Sequence, residues 1–309
     1  MRVDRRLLTR ATGALLSIAS VVWIVKRFVE QGALARMLGQ DQGRLALVTG
    51  SGALAYAGAV ALLALAWLLV QRAACASALP MRQLFRVYCI SQLAKYLPGN
   101  VGHYVGRHAW GRRHGIGHVA LFATAVSEAG VLIFAATAWS APMLDAEALQ
   151  QWLPQGLEAY WLWVAEASAL LAVWLTLRWF PRYLERIGPL RIMWRQIVVR
   201  MLPLHLLFFA VLGASLYGPA IVMGAPADIL RVLPSAAAIS WLAGFLVVGA
   251  PAGIGVREVV FVAVLAGRMP EADLLALAAV MRVITFGGDL AAFAVATTWG
   301  ARNEEEADH

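Results

Sequence analysis

Charge is scarce in this chain: 14% of its 309 residues are Asp, Glu, Lys or Arg, against 61% hydrophobic. Typical soluble domains carry about 25% charged residues. A water-soluble globule is therefore excluded, and the mean hydropathy of +0.69 agrees. Cysteine is nearly absent. Cys75 and Cys89 are the only two, both on the side read below as cytoplasmic, where thiols stay reduced, so a disulfide framework is not expected. No G-x-x-x-x-G-K-[ST] loop occurs, which excludes ATP hydrolysis by a P-loop in this chain. Nucleophile–base arrangements of recognisable spacing are missing as well, and no catalytic residue is assigned. His103, His108, His114 and His118 are grouped but have no Cys, Asp or Glu nearby and no H-E-x-x-H arrangement. They read as interfacial polar residues, with no metal and no other cofactor expected.

What the chain does have is long apolar runs. Leu45–Val70, Ile116–Ala141, Tyr160–Phe180, Met201–Ala225, Leu233–Ala250 and Leu274–Gly300 approach or exceed the roughly 20 residues that cross a hydrocarbon layer. Ala11–Val25 is shorter, but Arg10 and Lys26 at its ends can snorkel. No small-residue cleavage site follows it, so it reads as an uncleaved first span. Trp152, Trp161, Trp163, Trp179 and Trp194 cluster near span ends as interfacial anchors. Residues 1–309 thus form one integral membrane domain of all-α, polytopic class.

The formal net charge of +8 does not indicate nucleic acid, because the basic residues are distributed by loop and not gathered on a soluble face. Arg72–His114 has seven Lys/Arg and no acid, and Arg178–Arg200 has six arginines against Glu185 alone. Both segments are expected to be cytoplasmic, since positive charge in short loops resists translocation. Pro142–Leu157, with Asp145 and Glu147 and no base, suits the outside. An amino terminus inside the cell, carrying Arg2, Arg5, Arg6 and Arg10, completes the pattern and leaves both termini cytoplasmic in a bacterial inner membrane. One loop resists this scheme: Lys26–Arg44 falls outside yet holds Lys26, Arg27, Arg36 and Arg44.

A short motif occurs twice. Pro98-Gly99-Asn100-Val101-Gly102 returns as Pro251-Ala252-Gly253-Ile254-Gly255, at an offset of 153 from Pro98 to Pro251 and again from Gly102 to Gly255. Pseudo-repeats over 1–150 and 151–309 are the economical reading. Helix-breaking segments at matching places in two apolar halves are a signature of membrane transporters with a central binding site. With six spans, the motifs become tips of re-entrant hairpins, Arg82–His114 from the cytoplasmic side and Leu233–Arg268 from the outer side. Three crossings per half then invert the second half relative to the first. The alternative, eight spans with each hairpin crossing, keeps the same pairing.

The stretch Ser91-Gln92-Leu93-Ala94-Lys95-Tyr96-Leu97-Pro98-Gly99-Asn100-Val101-Gly102, then Gly106-Arg107, Ser127-Glu128 and Gly249-Ala250-Pro251-Ala252-Gly253-Ile254-Gly255-Val256-Arg257-Glu258, resembles the lysylphosphatidylglycerol synthase transmembrane-region (YbhN-like) family over nearly the whole chain. That resemblance implies a phospholipid flippase. It does not imply lipid aminoacylation, because the family's cytosolic aminoacyl-transferase domain has no counterpart here; a lipid-modifying enzyme as a separate partner fits the resemblance. Ala252 departs from the pattern where the family often has glycine, which stiffens that turn.

Charges at membrane depth cost about 2.5–3.5 kcal/mol each on insertion scales and persist mainly when paired or used. Glu128 lies mid-run beside Ser127, and its repeat-related position is one residue from Arg282. The two are expected to pair across the symmetry axis, either as part of a binding site or as a structural ion pair joining the halves. Arg257, Glu258, Arg282 and Asp289 form an expected interior cluster able to meet a phosphate through arginine and an ammonium through carboxylate. Lys95, Asn100 and Arg107 surround the first turn, where the two bases either bind phosphate at the cytoplasmic mouth or only anchor the helix. Gly99, Gly102, Gly253 and Gly255, with Pro98 and Pro251, shape the turns and can expose backbone N–H groups. The expected function is translocation of a polar or phosphate-bearing membrane lipid between leaflets. A membrane enzyme acting on a lipid-linked sugar through Glu128, Glu258 or Asp289, and a scaffold for envelope assembly, are the alternatives.

Overall fold

A computed structural model describes residues 5–74, 79–97, 100–140, 197–247 and 249–305. The expected span Tyr160–Phe180, its flanking tryptophans, Cys75, Pro98 and Gly99 lie outside the described residues. The structure is 86% helical with no strand among the described residues, as a chain in hydrocarbon requires, since helices satisfy their own backbone groups. The described helices are α1 (Arg5–Glu30), α2 (Ala33–Leu38), α3 (Gln42–Ala74), α4 (Met81–Gln92), α5 (Gly102–Arg113), α6 (His118–Ser140), α7 (Leu202–Ala214), α8 (Tyr217–Val222), α9 (Ala227–Leu246), α10 (Val256–Leu265) and α11 (Glu271–Glu305). Five stretches are long and apolar enough to cross a membrane: Gln42–Arg72, His118–Ser140, Val199–Val222, Ala227–Leu246 and Glu271–Thr298. Their outward faces are apolar too, with Leu47, Leu54, Val119 and Phe122 all exposed. Surfaces of that kind suit lipid and would aggregate in water.

The core is the seam where α3, α7, α9 and α11 pack, centred on Tyr56, Phe208, Phe209, Leu233 and Leu277. At Gly288 of α11 a Cβ would stand 2.6 Å from the Ala53 carbonyl oxygen and 2.7 Å from the Tyr56 ring. Only glycine admits α3 at that distance, the small-residue contact that membrane helices use in place of a hydrophobic drive. Two boundaries differ from the sequence reading. Met201–Ala225 is not one uninterrupted helix, because α7 ends at Ala214 and α8 begins at Tyr217. Pro219 has no N–H for the Ser215 carbonyl, so regular hydrogen bonding cannot run through. The run expected to start at Leu233 starts at Ala227, just after Pro226, and passes Pro234 without breaking.

Contacts between helix ends set two poles. At one, Arg27 of α1 binds Glu271 at 2.8 Å and Arg36 of α2 approaches Asp273 at 3.8 Å. Two of the four bases that fitted poorly as a loop charge are thus partnered by acids at the start of α11. At the other pole, Thr124 of α6 donates to Gln71 of α3 at 2.8 Å. The pair α4–α5 opens toward this second pole, since Gly111 of α5 abuts Leu121 at the start of α6. The pair α9–α10 opens toward the first, since α10 leads directly into Glu271. Each pair is interrupted by a 3₁₀ turn, at Leu93–Tyr96 in the first and at Pro251–Gly253 in the second. These two breaks pack against each other inside the bundle.

Candidate functional site

The duplicated motif leaves the same mark on the backbone in both copies. Asn100 has φ 52° and Gly253, its counterpart at the repeat distance, has φ 67°. Both occupy the left-handed region, which asparagine tolerates better than most residues and glycine enters freely. Ala252 sits there as well, at φ 49°, where its Cβ is unfavourable. Gly102 and Gly255 are needed for different reasons. A Cβ on Gly102 would stand 2.4 Å from the Ala94 carbonyl oxygen, a clash with backbone that cannot move aside. Gly255 instead has φ 83°, and starts α10 with its N–H donated to Glu258 Oε2 at 2.7 Å. Pro251 begins the second 3₁₀ turn, where its missing N–H costs nothing.

Around the breaks lie three ion pairs, and their partners differ from the expected ones. Glu128, almost fully buried, does not meet Arg282. Its Oε2 is 2.9 Å from Arg107 Nη1, and Tyr88 donates to its Oε1 at 2.7 Å. The rings of Tyr88, Tyr104 and Trp67 surround the Arg107 guanidinium at 4.4, 5.0 and 5.2 Å. The physical reason is local: α5 and α6 are consecutive and packed together, and their short connection brings Arg107 to the depth of Glu128. Arg282 instead binds Glu258 through Nε and Nη2. Glu258 therefore both caps α10 and ties it to α11.

Lys95 and Arg107 do not stand at a mouth. Arg107 is 3% exposed, and Lys95 Nζ binds Asp289 Oδ2 at 2.7 Å and Oδ1 at 2.9 Å. Tyr96 adds a hydroxyl to Asp289 Oδ2 at 2.8 Å. The ionic link between sequence halves at this site is thus Lys95–Asp289. Its partner Tyr96 stands two residues before Pro98, and a phenol hydroxyl beside the first Pro/Gly turn is the sequence signal for it.

A cavity of about 30 Å³ lies where the breaks meet, lined by Lys95, Asn100, His103, Glu128, Arg257 and Trp241 among others. His103 is buried here and is not interfacial, whereas His108 and His118 bond one another at 3.0 Å near the exposed α5–α6 corner. No group of three metal-ligating side chains occurs among the described residues. A second, wider groove of about 580 Å³ runs between α4 and α5, lined by Arg86, Ile90, Ser91, Gly106, Trp110 and His114. Chemically, the three carboxylates near the cavity spend their oxygens on cations, tyrosine hydroxyls and one backbone N–H. Four cations, buried Arg107 and Arg257 and half-buried Lys95 and Arg282, stand with three carboxylates, Glu128, Glu258 and Asp289. No family model matches the chain, and no curated protein matches it significantly.

Proposed function

We propose that this chain is a lipid translocator, passing the polar headgroup of a phosphate-bearing lipid between the leaflets of a bacterial inner membrane while the acyl tails stay in the bilayer. In this reading the halves form an inverted repeat, and α4–α5 and α9–α10 are re-entrant hairpins. One observation carries it: two broken helix pairs opening toward opposite poles meet at a cavity that Lys95, Glu128 and Arg257 help to line, inside a bundle of apolar helices. Irregular backbone and buried charge at that depth are costly, and membrane proteins tolerate them where a polar path runs. The length of α4 and of α5, 12 residues each, favours the re-entrant form. At about 1.5 Å per residue neither reaches across a layer about 30 Å thick. The motif resemblance to a flippase-type family points the same way. Carboxylates already neutralised by cations favour recognition of a polar group over acid–base chemistry, which sets the lipid-sugar enzyme reading second.

Leaflet exchange in reconstituted vesicles tests the proposal. Headgroup-labelled phosphatidylglycerol in the inner leaflet is expected to become accessible to an impermeant quencher faster with the protein than without it. Exchange no faster than in protein-free vesicles, from protein that is folded and inserted, overturns the reading.

A further inference from the structure

Arg257 differs from the other cations of the site. It is 7% exposed, its Nε is buried without a hydrogen-bond partner, and no carboxylate among the described residues lies within ion-pair distance. The neighbouring acids are committed elsewhere: Glu258 to Arg282 and the Gly255 N–H, Glu128 to Arg107 and Tyr88, Asp289 to Lys95 and Tyr96. What holds the side chain is shape. Its stem crosses two glycines, for a Cβ on Gly244 would stand 2.4 Å from Arg257 Cγ and one on Gly253 would stand 2.8 Å from Nε. The Trp241 ring backs the guanidinium at 5.4 Å. A channel made of absent side chains and one aromatic face keeps an uncompensated guanidinium against the cavity. Leaving such a charge buried and unpaired destabilises the fold, and a methionine of similar volume would avoid that.

We infer that Arg257 is the receptor for a singly charged oxyanion of the phosphodiester class, which enters the cavity between the two helix breaks. The inference rests on the transport reading of this cavity and names its ligand chemistry. One negative charge is what the local balance lacks. The guanidinium fork matches two oxygens of a phosphate. Gln92 and Asn100, both buried and lining the same cavity without a side-chain hydrogen bond to the described residues, supply amide donors beside it, and the buried Nδ1 of His103 is likewise unspent. A cavity of about 30 Å³ holds only a water or two. The anion is therefore admitted only when the breaks move apart, and its binding opposes the closed arrangement.

Thermal stability of the full chain in a neutral, phosphate-free detergent separates the sources. Two probes are added, inorganic phosphate and phosphatidylglycerol, with diacylglycerol as the lipid lacking phosphate. Wild-type protein is expected to be stabilised by phosphatidylglycerol and not by diacylglycerol, with apparent affinity lowered about tenfold or more in Arg257→Met and partly kept in Arg257→Lys. Without a probe, Arg257→Met is expected to melt no lower than wild type, because it removes an unpaired charge. Stabilisation by phosphatidylglycerol alone assigns the anion to a lipid headgroup. Stabilisation by inorganic phosphate alone, lost in Arg257→Met, keeps the Arg257 site and removes the lipid-translocator reading. No stabilisation of wild type by either probe, or equal stabilisation of Arg257→Met, overturns the inference, and isothermal titration of wild type with each probe decides the point if a variant fails to fold.

Discussion

Ala252 holds the one alanine among the described residues whose backbone is left-handed, φ 49° and ψ 22°. The cost of that conformation for an L-residue with a Cβ is about 1–2 kcal/mol, and glycine removes most of it. Ala252→Gly is expected to raise the melting temperature in detergent, equivalent to about 1 kcal/mol; an unchanged or lower value would show that the turn is not strained there. At Glu128 the relevant partner is Arg107. Removing either alone leaves a charge in the core, so Arg107→Leu and Glu128→Leu are each expected to cost about 3–5 kcal/mol, with the double variant costing clearly less than the sum. The same cycle run between Glu128 and Arg282 is expected to be additive, because those residues engage separate partners. Coupling between Glu128 and Arg282 as large as that between Glu128 and Arg107 would contradict this geometry.

Between the two helix breaks, equivalent positions do different work, and substitution separates them. Gly102→Ala places a Cβ against the Ala94 carbonyl and must displace the first break. Gly255→Ala strains a left-handed residue, at about 1–2 kcal/mol. Bulky replacements at either glycine are expected to abolish leaflet exchange while the protein still inserts. Gly106 offers a cleaner probe of the wider groove, since the nearest atom to its added Cβ is Ser91 Cβ at 4.0 Å. Gly106→Leu is expected to fold normally, with helix propensity improved by about 0.8–1 kcal/mol, and to slow exchange by filling the space between α4 and α5. Normal exchange by well-folded Gly106→Leu would mean that lipid does not travel along that groove.

For the molecule as a whole, the proposal requires both termini on the cytoplasmic face and the segment around Gln150 outside. A single cysteine at Gln150 is expected to react with an impermeant reagent in intact cells, and one at Glu305 only after permeabilisation, in a background where Cys75 and Cys89 are replaced by Ser. External labelling of Glu305 would dismiss the six-span inverted arrangement while leaving the helix packing intact.

The membrane character, the apolar helices and the two places where helices break were legible in the sequence, because they follow from local chemistry. Long apolar runs must satisfy their own backbone groups as helices, and Pro/Gly clusters remove donors or admit left-handed backbone wherever they occur. Glu128, Arg257, Glu258, Arg282 and Asp289 stood out as charges in apolar surroundings for the same reason. Which charge meets which was decided only by tertiary structure. The repeat offset brought Glu128 and Arg282 together on paper, yet ion pairing depends on depth and rotation about each helix axis, and chain proximity gave Glu128 to Arg107 and Glu258 to Arg282. Lys95 and Asp289, 194 residues apart, meet only because the first break reaches α11. Arg257 is left over for a reason no linear pattern contains: every nearby carboxylate is already held by another cation, and two glycines and a tryptophan fix its guanidinium against the cavity.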